Sequence, residues 1–356
     1  MFHGIPSTAR LSLRLVCCLL TSAAMMVRAQ NYSTDVNDLV GNEKDQSSVL
    51  DLEKKHSEGW DLSAVISAAY NSNIFLSAED PQSDVVFRVA PTVAYSKGDA
   101  NDGEGAYIKA GYRPTGVVYI ENGSSNRVDQ QAILSAGWRG KMTRLTYAGV
   151  IQKLGDVVPD TGLPTDRLEF SNEVRAAWIP REKLALEIGA GNSQTIYQDP
   201  QYFNNSVTFG ELGLRYTYSP KTELGLIYQI GRTTGDGTTP QDTQQLTGAV
   251  SWRASEKFGV NLEAGAEHRK ADGGASVNPV MRGRIDWTPR QGTAINLTGY
   301  MFQQASAYYA GQNIQVNGMT AGITQRIIGN WSMKLDAGYE SNTYETVSGN
   351  NIIGRV

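Results

Sequence analysis

From Trp60 to the end, apolar and polar residues alternate in segments of roughly 9 to 13 residues, each closed by Gly, Pro, Asn or Asp. In 60–70 one face carries Trp60, Leu62, Ala64, Ile66, Ala68 and Tyr70. In 84–95 the apolar face is Val85, Phe87, Val89, Val93 and Tyr95, with Pro91 interrupting. In 167–178 Leu168, Phe170, Val174, Ala176 and Trp178 oppose Arg167, Glu169, Ser171, Glu173 and Arg175, and 331–340 repeats the contrast from Trp331 to Tyr339. A period of two with this contrast predicts strands whose two faces meet different solvents.

A second regularity sits on the first. Trp138, Trp178, Tyr218, Trp252 and Trp287 each precede a short turn bearing Arg or Lys, at spacings of 40, 40, 34 and 35 residues. Each period holds two long strands, one short turn and one longer polar loop. Short turns on one side, long loops on the other and aromatics at the short-turn level are the plan of an outer-membrane β-barrel. In hydrocarbon every backbone polar group must be paired inside the protein, so a strand-built span has to close on itself.

The expected fold is therefore all-β, a transmembrane antiparallel up-and-down β-barrel of about 16 strands. They are 60–70, 84–96, 106–119, 128–138, 142–153, 167–178, 184–197, 206–218, 223–231, 243–252, 258–269, 279–287, 294–304, 314–326, 331–341 and 350–356. Even parity puts the short turns and the mature N-terminus in the periplasm. The last segment stops short and lacks a terminal aromatic: either strand 16 is unusual or, the favoured expectation, a final hairpin is missing from the given sequence, which would make 18 strands. The competing all-β readings are a soluble secreted sandwich and a repeat array. A propeller of this period needs four short strands per repeat, and a sandwich gives no reason for aromatic-then-basic turns at one end only.

The N-terminus reads differently. Arg10 and Arg14 precede an apolar run from Leu15 to Val27, and Val27-Arg28-Ala29 ends it, which predicts a signal peptide over 1–29 cut after Ala29. Residues 30–59 form a polar periplasmic leader before a barrel over 60–356. Both cysteines, Cys17 and Cys18, fall in the signal. Cleavage lowers the cationic count from 32 to 29 against 36 acids, a formal charge of −7, which disfavours nucleic acid as a partner.

Candidate chemistry is sparse. Of the three histidines only His268 lies in the barrel, at the rim of a strand. No metal site, no cofactor and no catalytic residue is expected, and the chain does not read as an enzyme. The acids Asp99, Asp102 and Glu104 look like solvated loop charges. Residues expected to line a pore are Arg88, Arg113, Glu173, Arg175, Glu187, Glu211, Arg215, Glu263, Arg282, Arg284, Asp286, Lys334 and Asp336. They either set selectivity or simply pair with one another. The interface girdle is Tyr95, Trp138, Trp178, Tyr218, Trp252, Trp287 and Trp331.

Residues 67–95 contain Tyr70, Asn73, Ile74, Phe75, Ser83, Asp84 and Pro91 in an order that resembles the opening of the β-barrel porin type 2 family. The turns WIPREK, YSPKTEL and WTPRQG resemble that family's repeating hairpins. The resemblance implies a Gram-negative outer-membrane barrel, with some relatives linked to exopolysaccharide production. Expected partners are outer-membrane lipid, the barrel-assembly machinery and small hydrophilic solutes. The leading functional expectation is a channel for passive diffusion. The alternatives are an accessory barrel for polysaccharide export, with Tyr107, Tyr119, Gln303 and Tyr309 as a sugar-stacking track, and a plugged structural or adhesive barrel. No loop announces itself as a constriction.

Overall fold

In a computed structural model, residues 12–15, 58–75, 80–98, 104–158, 163–271, 274–328 and 331–345 are described. Fifteen long strands form one continuous meander: β2 Gly59–Asn71, β3 Asp84–Lys97, β4 Gly105–Tyr119, β5 Arg127–Arg139, β6 Thr143–Leu154, β9 Arg167–Arg181, β10 Leu184–Tyr197, β11 Asn205–Ser219, β12 Thr222–Gly235, β13 Gln241–Ser255, β14 Phe258–Ala271, β15 Gly274–Arg290, β16 Thr293–Ala305, β17 Asn313–Ile328 and β18 Trp331–Glu345. Each is hydrogen-bonded antiparallel to the next, in an all-β up-and-down barrel architecture. Two short strands, β7 Val157–Val158 and β8 Leu163–Pro164, make a separate hairpin in the loop between β6 and β9. The remaining strand, β1 Ser12–Leu15, lies parallel to β2 with Ser12 opposite Ser63. The sixteenth strand expected at 350–356 lies outside the described residues, as do the leader residues 30–57.

The strands exceed their expected ends. β12 continues to Gly235, β13 begins at Gln241 and β15 runs from Gly274 to Arg290. The Thr, Gly and Asp residues at these ends read as turn formers, but the ladder supplies partners to their backbone and keeps them extended. Pro91 does not break its strand either. It faces Ala64 of β2, and the β3–β4 register is unchanged on either side, from Val89 opposite Gly116 to Val93 opposite Tyr112. That register sets Pro91 against Pro114, two residues without an N–H to give, so only the local ladder is lost.

The burial pattern follows from the alternation, turned inside out relative to a soluble protein. Phe87, Val174, Ile188, Leu212, Leu226 and Leu335 are exposed on one face of the sheet. Glu173, Glu211, Gln131, Gln152, Thr247 and Arg269 are buried on the other. Large apolar side chains cover the outside, and amides, hydroxyls and charges line the inside. Among the described residues two buried apolar clusters form, both small and both at the long-loop end of the inner face. One joins Ile74 to Val86, Val117 and Tyr119, with Phe75 against it. The other joins Phe302, Ile314, Val316 and Tyr344.

Glycine and tyrosine, 37 and 17 in the chain, share a task on the inner wall. Tyr300, Gly318 and Glu340 form one cross-strand row over β16, β17 and β18. The Tyr300 ring lies where a Cβ on residue 318 would stand, and its hydroxyl donates to Glu340 Oε2 at 2.8 Å. Gly318→Val is therefore expected to eject the ring and destabilise the barrel by about 1–3 kcal/mol, read by denaturant unfolding in lipid vesicles. An unchanged midpoint would show that the ring does not depend on the missing side chain.

Candidate functional site

The inner wall is built from rows of cross-strand neighbours whose register brings opposite charges together. Arg175 on β9, Gly189 on β10 and Glu211 on β11 stand in one row. With no side chain on Gly189, the guanidinium crosses the middle strand to Glu211 at 3.2 Å while also meeting Glu173 at 2.7 Å. Both carboxylates are almost fully buried, Glu173 at 6% and Glu211 at 5% exposure. Nearer the short turns, Arg215 bridges Glu187 and Glu223, each at 3.2 Å. Arg113 donates to Gln131 Oε1 at 2.6 Å, and Gln131 passes the chain on to Gln152 at 3.2 Å. Thr247 donates to Glu263, and Arg284 pairs with Asp286 at 2.9 Å.

The candidates for a pore lining thus divide. Arg113, Glu173, Arg175, Glu187, Glu211, Arg215, Glu263, Arg284 and Asp286 sit on the inner face with partners, as a mutually paired wall. Arg88 and Arg282 share that face and have no ion pair within 4 Å among the described residues, although Glu263 stands opposite Arg282 across the ladder. Asp336 belongs to the inner face opposite Gly322. The side chain of Lys334 lies outside the described residues, as does that of Trp331.

The other candidates occupy the outer face. Trp138, Trp178, Tyr218, Trp252 and Trp287 are all exposed and stand within a few residues of the short turns. Tyr95 joins them at the same end, its ring 5.1 Å from that of Trp60. His268 is exposed on the outer face near the loop end, and the carboxylates of Glu263 and Glu267 belong to the opposite face.

The loop end holds what the sequence reading missed. Arg127 pairs with Asp129 at 3.1 Å and donates to the Tyr119 hydroxyl at 2.9 Å, with its guanidinium 5.7 Å from that ring's centre. Arg167 joins Asp156 at 2.8 Å and Glu169 at 2.7 Å. Asp84, 2% exposed, accepts from the backbone of Ile120, Glu121 and Asn122 and from the Asn122 side chain at 2.8–3.2 Å. It ties the start of β3 to the β4–β5 turn. Asp84→Ala would take the acceptor from the Glu121 and Asn122 N–H groups and the Asn122 side chain, while the Ile120 N–H keeps Val85 O at 3.3 Å. The expected loss is about 1–3 kcal/mol, with earlier proteolytic cutting near residue 120 as the readout; an unaltered cutting pattern would contradict the tie.

Two loops meet at this end. The β16–β17 loop reaches across to the β10–β11 loop, where the Phe203 N–H donates to Ala307 O at 2.8 Å. A file of tyrosines accompanies it: Tyr197 to Tyr202 at 5.6 Å, Tyr202 to Tyr308 at 6.5 Å, Tyr308 to Tyr309 at 4.8 Å and Tyr309 to Tyr344 at 5.2 Å between ring centres. These rings link β10 to β18, strands on opposite parts of the meander. Nothing in the composition of the two loops marks this approach. Of the proposed sugar track only Tyr309 belongs to the file. Tyr119 packs in the apolar cluster beside Ile74, and Tyr107 lies against Gly137 toward the short-turn end.

No family model matches the chain, so the porin type 2 resemblance rests on its own residues. No curated protein matches it. Among solved structures it is similar to the siderophore receptor PirA from Pseudomonas aeruginosa, with 10% identity, TM-score 0.41, 82% of this chain and 57% of that chain covered. It is also similar to a mutant of the ferric enterobactin receptor PfeA from Pseudomonas aeruginosa, with 9% identity, TM-score 0.36, 82% of this chain and 54% of that chain covered. The chain spans just over half the length of these receptors.

Proposed function

We propose that this chain is an outer-membrane β-barrel that lets small hydrophilic solutes diffuse through a charged lumen narrowed at its loop end. The observation that carries the reading is the inverted wall, with large apolar side chains outside and paired charges inside. In water such an exterior would drive aggregation; in acyl chains it is the stable arrangement. The strands run 12 to 17 residues. At about 3.3 Å per residue and a tilt of about 40°, fourteen residues span roughly 35 Å, enough for the hydrocarbon and both interfaces. The exposed Trp and Tyr rings beside the basic turns suit the periplasmic interface. Targeting through a signal peptide cleaved near Ala29, and insertion by the barrel-assembly machinery, belong to the same reading.

Paired acids and bases on the wall favour water and small polar solutes over apolar ones. Purified protein in a planar bilayer is expected to give steady ohmic conductance, and electrical silence would refute the channel. Arg282→Glu with Arg284→Glu is expected to move the permeability ratio toward cations; an unaltered ratio removes both residues from selectivity. The tyrosine file across the mouth favours one second reading, passage of a saccharide chain that stacks on the rings. Block of the conductance by added oligosaccharide supports that reading over simple diffusion.

A further inference from the structure

Along most of β17 the outer face is apolar and exposed, as at Met319 and Ile323. Above Met319 the polarity reverses. The outer-face positions become Asn317, Gln315 and Asn313, while the inner-face positions become Val316 and Ile314, both 1% exposed. Left in the wall, this stretch would set three amides against lipid, where no water satisfies them.

The ladders show that the part above Asn317 leaves the wall, Asn317 itself standing opposite Met301 in the last row that β15 still joins. β15 pairs with β16 only from Met281 opposite Met301 downward. Above that point β15 still pairs with β14 as far as Gly274, and β16 still pairs with β17 as far as Asn313. The upper part of the hairpin has therefore parted from β15. Its polar outer face then meets the inner face of the neighbouring wall. Arg269, on the inner face of β14 and 1% exposed, donates from Nη1 to Asn313 Oδ1 and to Gln241 Oε1, each at 3.0 Å. Glu267 holds the same guanidinium at 2.8 Å. Gln241 Nε2 in turn donates to Gly311 O at 3.4 Å, at the hairpin tip. An inner-face arginine can reach an outer-face asparagine three strands away only if the hairpin is folded inward.

We propose that the upper part of the β16–β17 hairpin is an inward-folded constriction of the pore, and that Arg269, bridging Gln241 and Asn313, is the positioning residue that holds it there. The proposal rests on the channel reading. It goes beyond it by assigning the narrowing to one segment and one tether.

Two measurements test it. Single-channel conductance is compared among the unaltered protein, Arg269→Ala and a variant with residues 307–311 replaced by two glycines, which leaves the strands untouched. Both variants are expected to conduct at least about twofold more, because the narrowest section sets the current. Conductance equal to that of the unaltered protein in both overturns the constriction. Separately, nitroxides are attached at Gln315→Cys and Met319→Cys in lipid vesicles, with Cys17 and Cys18 replaced by alanine. Oxygen, which concentrates in lipid, is expected to reach position 319 and not 315. Equal oxygen access at both positions places the hairpin in the wall and overturns the inward fold whether or not the protein conducts. If 315 is shielded but all three proteins are silent, the inward fold stands and the pore, with its constriction, is refuted.

Discussion

Leu212→Arg is expected to destabilise the folded protein in a bilayer by about 2–4 kcal/mol, the cost of an arginine near the midplane of a lipid-facing strand. Leu212 lies at the middle of β11 and is 58% exposed. On a water-facing surface the same change would stay within about 0.5 kcal/mol. Urea unfolding in phosphatidylcholine vesicles, followed by tryptophan emission, separates the two. The shift should shrink for the same substitution at Tyr218, which stands at the turn end of the same strand. Equal and negligible shifts at both positions would remove the lipid from the account.

Arg175→Ala is expected to cost about 3–5 kcal/mol, since it leaves Glu173 and Glu211 buried without their cation. The size of the effect comes from the unpaired carboxylates rather than from the worth of the pairs themselves. The triple change Arg175→Ala, Glu173→Gln, Glu211→Gln should therefore recover most of the loss. Failure of the triple variant to recover would mean that Arg175 supports the wall by packing its stem, not by its charge.

Much of this architecture was legible in the residues. Alternation from Leu168 to Trp178 assigned the two faces of β9, and the recurring Trp-then-basic turns assigned the short-turn end. The paired wall was only half legible. Charges such as Arg175 and Glu173, two apart on one strand, could be placed on one face. The bond from Arg175 to Glu211 could not be read, because it depends on a register that brings Gly189 between them. The proposed inward fold has a signal in the sequence: Asn313, Gln315 and Asn317 alternate with Ile314 and Val316 in the opposite phase to Met319, Ala321 and Ile323. A strand that changes phase without a bulge has changed environment. Arg269 carries no such signal: its neighbour His268 suggests chemistry by residue type alone, while a buried arginine becomes informative only once its partners are known. The strand expected at 350–356 stays outside the described residues.

The central claim is that one wall separates lipid from an aqueous interior, and β11 offers the most direct test. Single cysteines at Glu211, Leu212, Gly213, Leu214, Arg215 and Tyr216 would each carry a small fluorophore in proteoliposomes, challenged by nitroxide-bearing lipid and by iodide. The account predicts strict alternation, with 212, 214 and 216 quenched from the lipid and 211, 213 and 215 quenched from water. Labels at 212, 214 and 216 that escape the lipid quencher in a folded protein would contradict it.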